Sequence, residues 1–185
     1  MNDRDHEEFS FARSAVLEGK SLKTDLISAT ARLPLSDQEH PLYEVEQDAH
    51  RTLKLKPDTQ FLVIERARLL DGKPSAIHRV FLDPSRFPGD FLERHKFGAD
   101  SLIEIYGEYG HKLLSRDTVL MARSTNMYEI NLLRQRYHSE TRRIVLDAEQ
   151  QLYAQNPNTP EPFVLEYLKA SYFDDWEYKI RNRPA

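Results

Sequence analysis

The chain has 185 residues, no cysteine, and 30 Asp and Glu against 26 Lys and Arg, for a formal net charge of −4. Hydrophobic residues make up 39% of it, which excludes a disordered chain, and the lack of cysteine excludes disulfide scaffolds and thiolate metal sites. The acidic balance argues against a domain that holds DNA by itself, because such domains normally carry a basic surface.

The sequence predicts a soluble, cytoplasmic protein. Its first 19 residues are acidic and polar and lack the apolar run of a signal peptide. No apolar stretch approaches the length of a membrane span.

Strands and helices are expected to follow one another without the regular alternation of a parallel sheet, which predicts one α+β domain with a largely antiparallel sheet. In 41–55, Leu42, Val45, Ala49 and Leu53 recur at spacings of three and four and would share one side of a helix. In chain order, the predicted elements are a linker at 1–10, a short helix at Phe11–Leu17, a strand at Thr24–Leu35, the helix within 41–55, strands at 61–70 and 74–82, helices near Gly89–Lys96 and Ser101–Tyr109, a strand at 113–123, a helix at Asn126–Tyr137, and a hairpin of Arg142–Tyr153 and Phe163–Phe173 around a long polar loop, NPNTPEP.

The strongest local signal is a β-hairpin. The runs FLVIERARLL (61–70) and PSAIHRVFL (74–82) are rich in apolar residues and are joined by Asp71, Gly72 and Lys73. An Asp-Gly pair between such runs is typical of a tight turn, because both residues tolerate a positive φ.

Two of the predicted strands carry charged residues in apolar rows. Alternation places Arg66 and Arg68 on one side with Leu62, Ile64 and Leu70, and places Glu166 on one side with Val164, Leu168, Ala170 and Tyr172. The opposite sides of both strands are apolar too, so the sequence does not show which side forms the core. If the charged sides point inward, the charges need partners. A structural Arg–Glu pair and an anionic ligand both satisfy this requirement.

Three further residues are candidates for a site. Ser101 and Glu104 have the spacing of a capping box, yet the same helix start could receive an anion. His78 alternates with Ala76 and Val80 and could face either a pocket or the interior. Tyr172 shares its side of the strand with Glu166. The seven histidines form no tight metal-binding spacing, and no nucleotide-binding or nucleophile motif occurs, so no metal, cofactor or catalytic residue is predicted.

Taken together, the segments IERARLLDGKPSAIHRVFLDPSRFP, DSLIEIYGEYG and EPFVLEYLKASYFDDWEYKI resemble the UTRA domain, the effector-binding module of GntR-type bacterial transcription regulators of the HutC subfamily. The resemblance covers about residues 9–180. It implies a fold like that of chorismate lyase, with an antiparallel sheet, flanking helices and an enclosed ligand pocket. It also implies that Arg66, Arg68, Ser101, Glu166 and Tyr172 contact the ligand, with His78 as a further candidate.

The resemblance predicts an effector-sensing domain over 11–185 that binds a small anionic metabolite, such as a sugar phosphate, a phosphonate or an organic acid. DNA would be contacted only through a winged helix-turn-helix domain, which this chain lacks, and the protein is expected to form a homodimer. The chain is not expected to be an enzyme. The alternatives are a chorismate lyase-type enzyme and a dimerisation domain without a ligand.

Overall fold

The computed structural model describes residues 19–139 and 144–173, which form one six-stranded antiparallel sheet with helices packed on it. This confirms the predicted fold class. The predicted helix at Phe11–Leu17 lies outside the described residues. The elements are β1 (Leu22–Arg32), α1 (Tyr43–Thr52), β2 (Phe61–Leu70), β3 (Lys73–Leu82), a 3₁₀ turn (Pro84–Arg86), α2 (Phe91–Arg94), α3 (Leu102–Glu108), β4 (Lys112–Ser124), α4 (Met127–Tyr137), β5 (Ile144–Asn156) and β6 (Thr159–Tyr172).

The strand order, β1-β2-β3-β6-β5-β4, is built from two hairpins that meet at the centre of the sheet. In the first hairpin, Asp71 and Gly72 have φ values of +49° and +80°, as the Asp-Gly signal predicts. The hairpins join where β3 pairs with β6, so Arg66, His78 and Ala170 stand side by side on neighbouring strands. None of the described helices is long and apolar enough to cross a membrane.

The second hairpin differs from its prediction. In place of a long polar loop, β5 continues to Asn156 and β6 begins at Thr159, which leaves only Pro157 and Asn158 in the turn. The side chain of Asn156 makes this possible, because its Oδ1 accepts hydrogen bonds from the backbone N–H groups of Asn158 (3.0 Å) and Thr159 (2.8 Å). Five of the seven residues of NPNTPEP, 156 and 159–162, therefore belong to strands.

The helices are shorter than predicted at several ends. The expected helix near Gly89–Lys96 is a single turn, Phe91–Arg94, and the helix predicted within 41–55 spans only Tyr43–Thr52.

At the start of α4, the side chain of Asn126 accepts a hydrogen bond from the Glu129 N–H, and the Glu129 carboxylate accepts one from the Asn126 N–H. This reciprocal pair stabilises the start of α4.

Both faces of the sheet are buried, so both apolar rows of β2 contribute to a core. The face that carries Arg66, called here the front face, packs Ile64, Val80 and Leu168 against α2 and α3. On the opposite, back face, Phe61, Phe81 and Tyr167 pack against α1, while Ile77 and Val145 pack against Leu133 of α4. The alternation of apolar and polar residues in β2 is weak because both sides of the strand are buried.

The back face also buries a set of paired charges. Arg79 is 2% exposed, its Nε lies 2.5 Å from a Glu65 carboxylate oxygen, and its guanidinium group stacks 4.5 Å from the Tyr128 ring centroid. The Tyr128 hydroxyl donates to the second Glu65 oxygen. Next to Arg79, Lys169 pairs with Asp147 at 2.9 Å. Each buried charge described here has a partner of opposite sign.

Replacing Arg79 with Met is expected to lower the free energy of unfolding by about 3–5 kcal/mol, because it leaves the buried Glu65 carboxylate without its cation. Urea denaturation followed by circular dichroism measures this. Adding Glu65→Leu to Arg79→Met should recover most of the loss. Arg94→Met, which breaks an exposed pair with Asp90, should leave the midpoint unchanged. A double variant as unstable as Arg79→Met would contradict this interpretation.

Candidate ligand-binding site

A cavity of about 520 Å³ lies on the front face, between the sheet and the segment that leads into α3. Strands β2, β3 and β6 form its floor, residues 98–103 cover one side, and Lys23 and Thr24 of β1 lie at its edge. All six residues predicted to contact a ligand line this one cavity: Arg66, Arg68, His78, Ser101, Glu166 and Tyr172.

Arg66 and Arg68 enter the cavity from β2, two residues apart on the same side of the strand. Arg66 is 3% exposed. Its Nη1 lies 3.5 Å from the Asp100 carbonyl oxygen, and its buried Nε has no hydrogen-bond partner among the described residues. Arg68 donates to the Thr24 hydroxyl. Burial lowers the pKa of both guanidinium groups, and the Arg66 charge adds to this effect at Arg68, whose pKa falls to about 9. Arginine side chains stay protonated in proteins at neutral pH, so both groups are cationic.

Glu166 brings a carboxylate into the same cavity from β6. It is 3% exposed, and its Oε2 accepts a hydrogen bond of 2.5 Å from the Tyr106 hydroxyl of α3. Burial, followed by the neighbouring Glu166 charge, raises the pKa of Tyr106 well above its usual value, so the phenol stays protonated and donates. Tyr106 thereby fixes the carboxylate, and its position on α3 ties that helix to the sheet.

His78 stands beside Arg66 in the register of β2 and β3 and contacts Tyr172 at a ring-centroid distance of 5.7 Å, nearly edge to face. Burial lowers the pKa of His78 well below 6.5, and the charges of Arg68, Arg66 and Arg116 lower it further. The imidazole is therefore neutral at pH 7 and presents one donor and one acceptor nitrogen.

Ser101 lies at the start of α3, but the predicted capping box with Glu104 is wrong. The Ser101 side chain makes no capping hydrogen bond, and only its backbone oxygen takes part in the helix, accepting from Ile105 N–H at 3.0 Å. Ser101 has extended backbone angles and lies among the residues that line the cavity. Since α3 has only seven residues, its own dipole is a minor contribution to the site.

The sequence analysis did not predict several polar residues of the site, among them Tyr106, Arg116 and Gln150. Arg116 lies on β4 and Gln150 on β5, the two strands farthest from β2. Alternation along β4 places Arg116 on the same side of the strand as Thr118, Leu120 and Ala122, and this pattern was visible in the sequence. The register shift between Leu113 and Ser115 hides which side of the strand this row occupies.

Positive charge exceeds negative charge in the cavity. The residues that line it include four cations, Lys23, Arg66, Arg68 and Arg116, and two carboxylates, Asp100 and Glu166. The described residues contain no group of three or more His, Asp or Glu side chains that could hold a metal ion. Such an arrangement suits an organic anion that carries hydroxyl groups, since guanidinium groups bind anions and Glu166 accepts from a hydroxyl.

Because His78 is protonated more readily in the unfolded chain, the protein should lose stability through this residue as the pH falls below 6.5. Stability falls with pH because the unfolded state binds more protons at His78 than the folded state does. His78→Gln should therefore lose less stability than the wild type between pH 7.5 and pH 5.5, by about 1 kcal/mol. Urea denaturation of both proteins at the two pH values measures the difference. Equal losses would contradict a neutral His78.

The fold is similar to that of solved transcription regulators. PhnF from Mycobacterium smegmatis superposes with a TM-score of 0.68 at 17% identity, over 90% of this chain and 64% of that chain. The effector domain of PhnF gives a TM-score of 0.66 at 17% identity, over 90% and 89% of the two chains. A GntR-family transcriptional regulator from Bacillus cereus gives 0.61 at 14% identity, over 88% and 99%. The chain thus spans somewhat less than two thirds of full PhnF.

A family model confirms the resemblance found in the sequence. The comparison with curated proteins gives no match. The model of the UTRA domain, however, matches residues 39–174, well over half of the chain and all the strands that floor the cavity. This result supports an effector-binding domain of a transcription regulator, while the HutC subfamily stays a prediction. The chain belongs to the UTRA domain family.

Proposed function

We propose that this domain senses a small anionic metabolite, a sugar phosphate, a phosphonate or an organic acid, and thereby controls a bacterial transcription regulator. The observation that carries the proposal is the front-face cavity, which the buried Arg66 and the half-buried Arg68 line and where cationic side chains outnumber carboxylates. UTRA family membership and the likeness to GntR-family regulators support the same function.

The cavity residues divide into two recognition roles. Arg66 and Arg68 would bind the anionic group, since two neighbouring guanidinium groups offer several charge-assisted hydrogen bonds. Such an anion would also restore the pairing that the buried Nε of Arg66 lacks among the described residues. Glu166, held by Tyr106, would accept from a ligand hydroxyl, and neutral His78 could donate or accept without repelling a cationic neighbour.

The ligand would act on DNA binding by favouring one arrangement of the regulator over another. Its binding site is shared between the sheet and the 98–103 segment, so closing that segment on the ligand can differ in free energy between two arrangements. In this proposal, residues 11–185 form the sensing domain, 1–10 a linker, and an attached winged helix-turn-helix contacts DNA. The regulator would work as a cytoplasmic homodimer.

Isothermal titration with a panel of sugar phosphates, phosphonates and organic acids tests the proposal. At least one anion should bind the wild type, and Arg68→Ala should weaken that binding by about 10- to 100-fold, because it removes charge-assisted hydrogen bonds. Arg94→Ala is the matched control, since Arg94 is an exposed arginine of α2 outside the cavity.

Glu166→Gln should also weaken binding, by about 10-fold, because the amide loses the charge that accepts from the ligand hydroxyl. Unchanged affinity in both Arg68→Ala and Glu166→Gln would show that the ligand binds at another site. A wild type that binds none of the anions would favour the alternative of a dimerisation domain without a ligand.

We propose further that the domain is not an enzyme. Its structural neighbours are described as transcription regulators, and a shared fold by itself does not transfer an activity. Incubation with chorismate, monitored for 4-hydroxybenzoate, checks this directly. We expect no product above the level of a heat-denatured sample, and turnover that Arg68→Ala abolishes would overturn the proposal.

A further inference from the structure

Arg116 lines the front-face cavity from the strand that lies farthest from Arg66 and Arg68. We infer that Arg116 binds a second anionic group of the effector, which therefore carries negative charges at two separated positions. The inference rests on the proposed function, since it concerns the ligand of the same cavity.

The register of the sheet shows how far apart these arginines are anchored. β2 and β4 are separated by β3, β6 and β5, and neighbouring strands lie about 4.8 Å apart, so the anchoring backbones are roughly 19 Å apart across the sheet. Arg116 also stands in the row of Leu152 and Glu166, whereas Arg66 stands in the row of His78 and Ala170. The guanidinium groups thus approach the cavity from opposite walls.

Arg116 differs from its polar neighbours on the edge strand. Lys112, Ser115, Asp117 and Thr118 are exposed, but Arg116 is half-buried and its Nε is fully buried. The charge of Arg116 also contributes to the low pKa of His78 and acts to lower the pKa of Tyr106. The Arg116 charge therefore acts on groups inside the site.

The residues between the two arginine positions are suited to an uncharged, hydroxylated middle section of a ligand. Glu166 lies on β6 and Gln150 on β5, both within the stretch of sheet that separates Arg66 from Arg116. A carboxylate and an amide accept and donate hydrogen bonds to hydroxyl groups. The geometry fits an elongated polyhydroxylated anion with a phosphate or carboxylate at each end, one end at Arg66 and the other at Arg116.

Matched pairs of probes test this inference. The first pair is glucose 6-phosphate, with one anionic group, and 6-phosphogluconate, which adds a carboxylate at the opposite end. The second pair is hexanoate and adipate. Isothermal titration of the wild type should show the doubly charged member of a pair binding at least about 10-fold tighter, as expected for one additional charge-assisted contact.

Arg116→Gln should reduce this preference to about 3-fold or less and leave the affinity for the singly charged member within about 2-fold of the wild type. Arg116→Lys keeps the charge and should retain part of the preference. Lys112→Gln is the matched control, because it removes one positive charge from the same strand outside the cavity. Thermal unfolding of each variant shows that it is folded.

Equal affinity for both members of a pair, or a preference that survives Arg116→Gln, overturns the inference and leaves the proposed function intact. A preference lost to the same extent in Lys112→Gln also overturns it, because the effect would then follow the net charge. If none of the four compounds binds the wild type while a singly charged anion of the larger panel does, the inference is overturned and the proposed function stands.

Discussion

The placement of a buried and a half-buried arginine beside a buried carboxylate is the constraint on which the rest of the site depends. Arg66, which is buried, and Arg68, which is half-buried, project from β2 into the cavity, where water compensates their charge less than it does at the surface. Covering the front face with α2, α3 and the 98–103 segment creates this cost, and the same cover creates the cavity. An anionic ligand would relieve the cost that the cover imposes, and this is the physical reason for the affinity for anions that we propose.

Buried charges are paired within the protein on the back face of the sheet and are unbalanced on the front face. On the back face, Arg79 has Glu65 at 2.5 Å and Lys169 has Asp147 at 2.9 Å, so that face is balanced by the protein itself. On the front face, the Glu166 carboxylate accepts from the Tyr106 hydroxyl, and the Arg66 guanidinium reaches only a carbonyl oxygen at 3.5 Å among the contacts described. Pairs of the first kind hold a fold together, whereas an imbalance of the second kind is typical of binding sites.

The strand order explains why residues so distant in the sequence share one site. Two hairpins meet along β3 and β6, which brings Arg66 and His78 next to Ala170 and places Glu166 and Tyr172 on the same face. Strands β5 and β4 then extend that face and add Gln150 and Arg116 from the far wall. A ligand in the cavity would therefore touch both hairpins and the start of α3. In the proposed function, this shared contact would couple ligand binding to a change in arrangement.

The sequence by itself determined the hairpin of β2 and β3, the α+β class and the placement of Arg66, Arg68, Glu166 and Tyr172 on particular sides of their strands. These properties are local, since alternation and an Asp-Gly turn are decided by a few neighbouring residues. Only the tertiary structure decided that both sides of β2 are buried, that Asn156 closes a two-residue turn, and that Tyr106 and Arg116 join the site. Strand order and register set these features, and both depend on contacts between residues far apart in the chain, which no local pattern encodes.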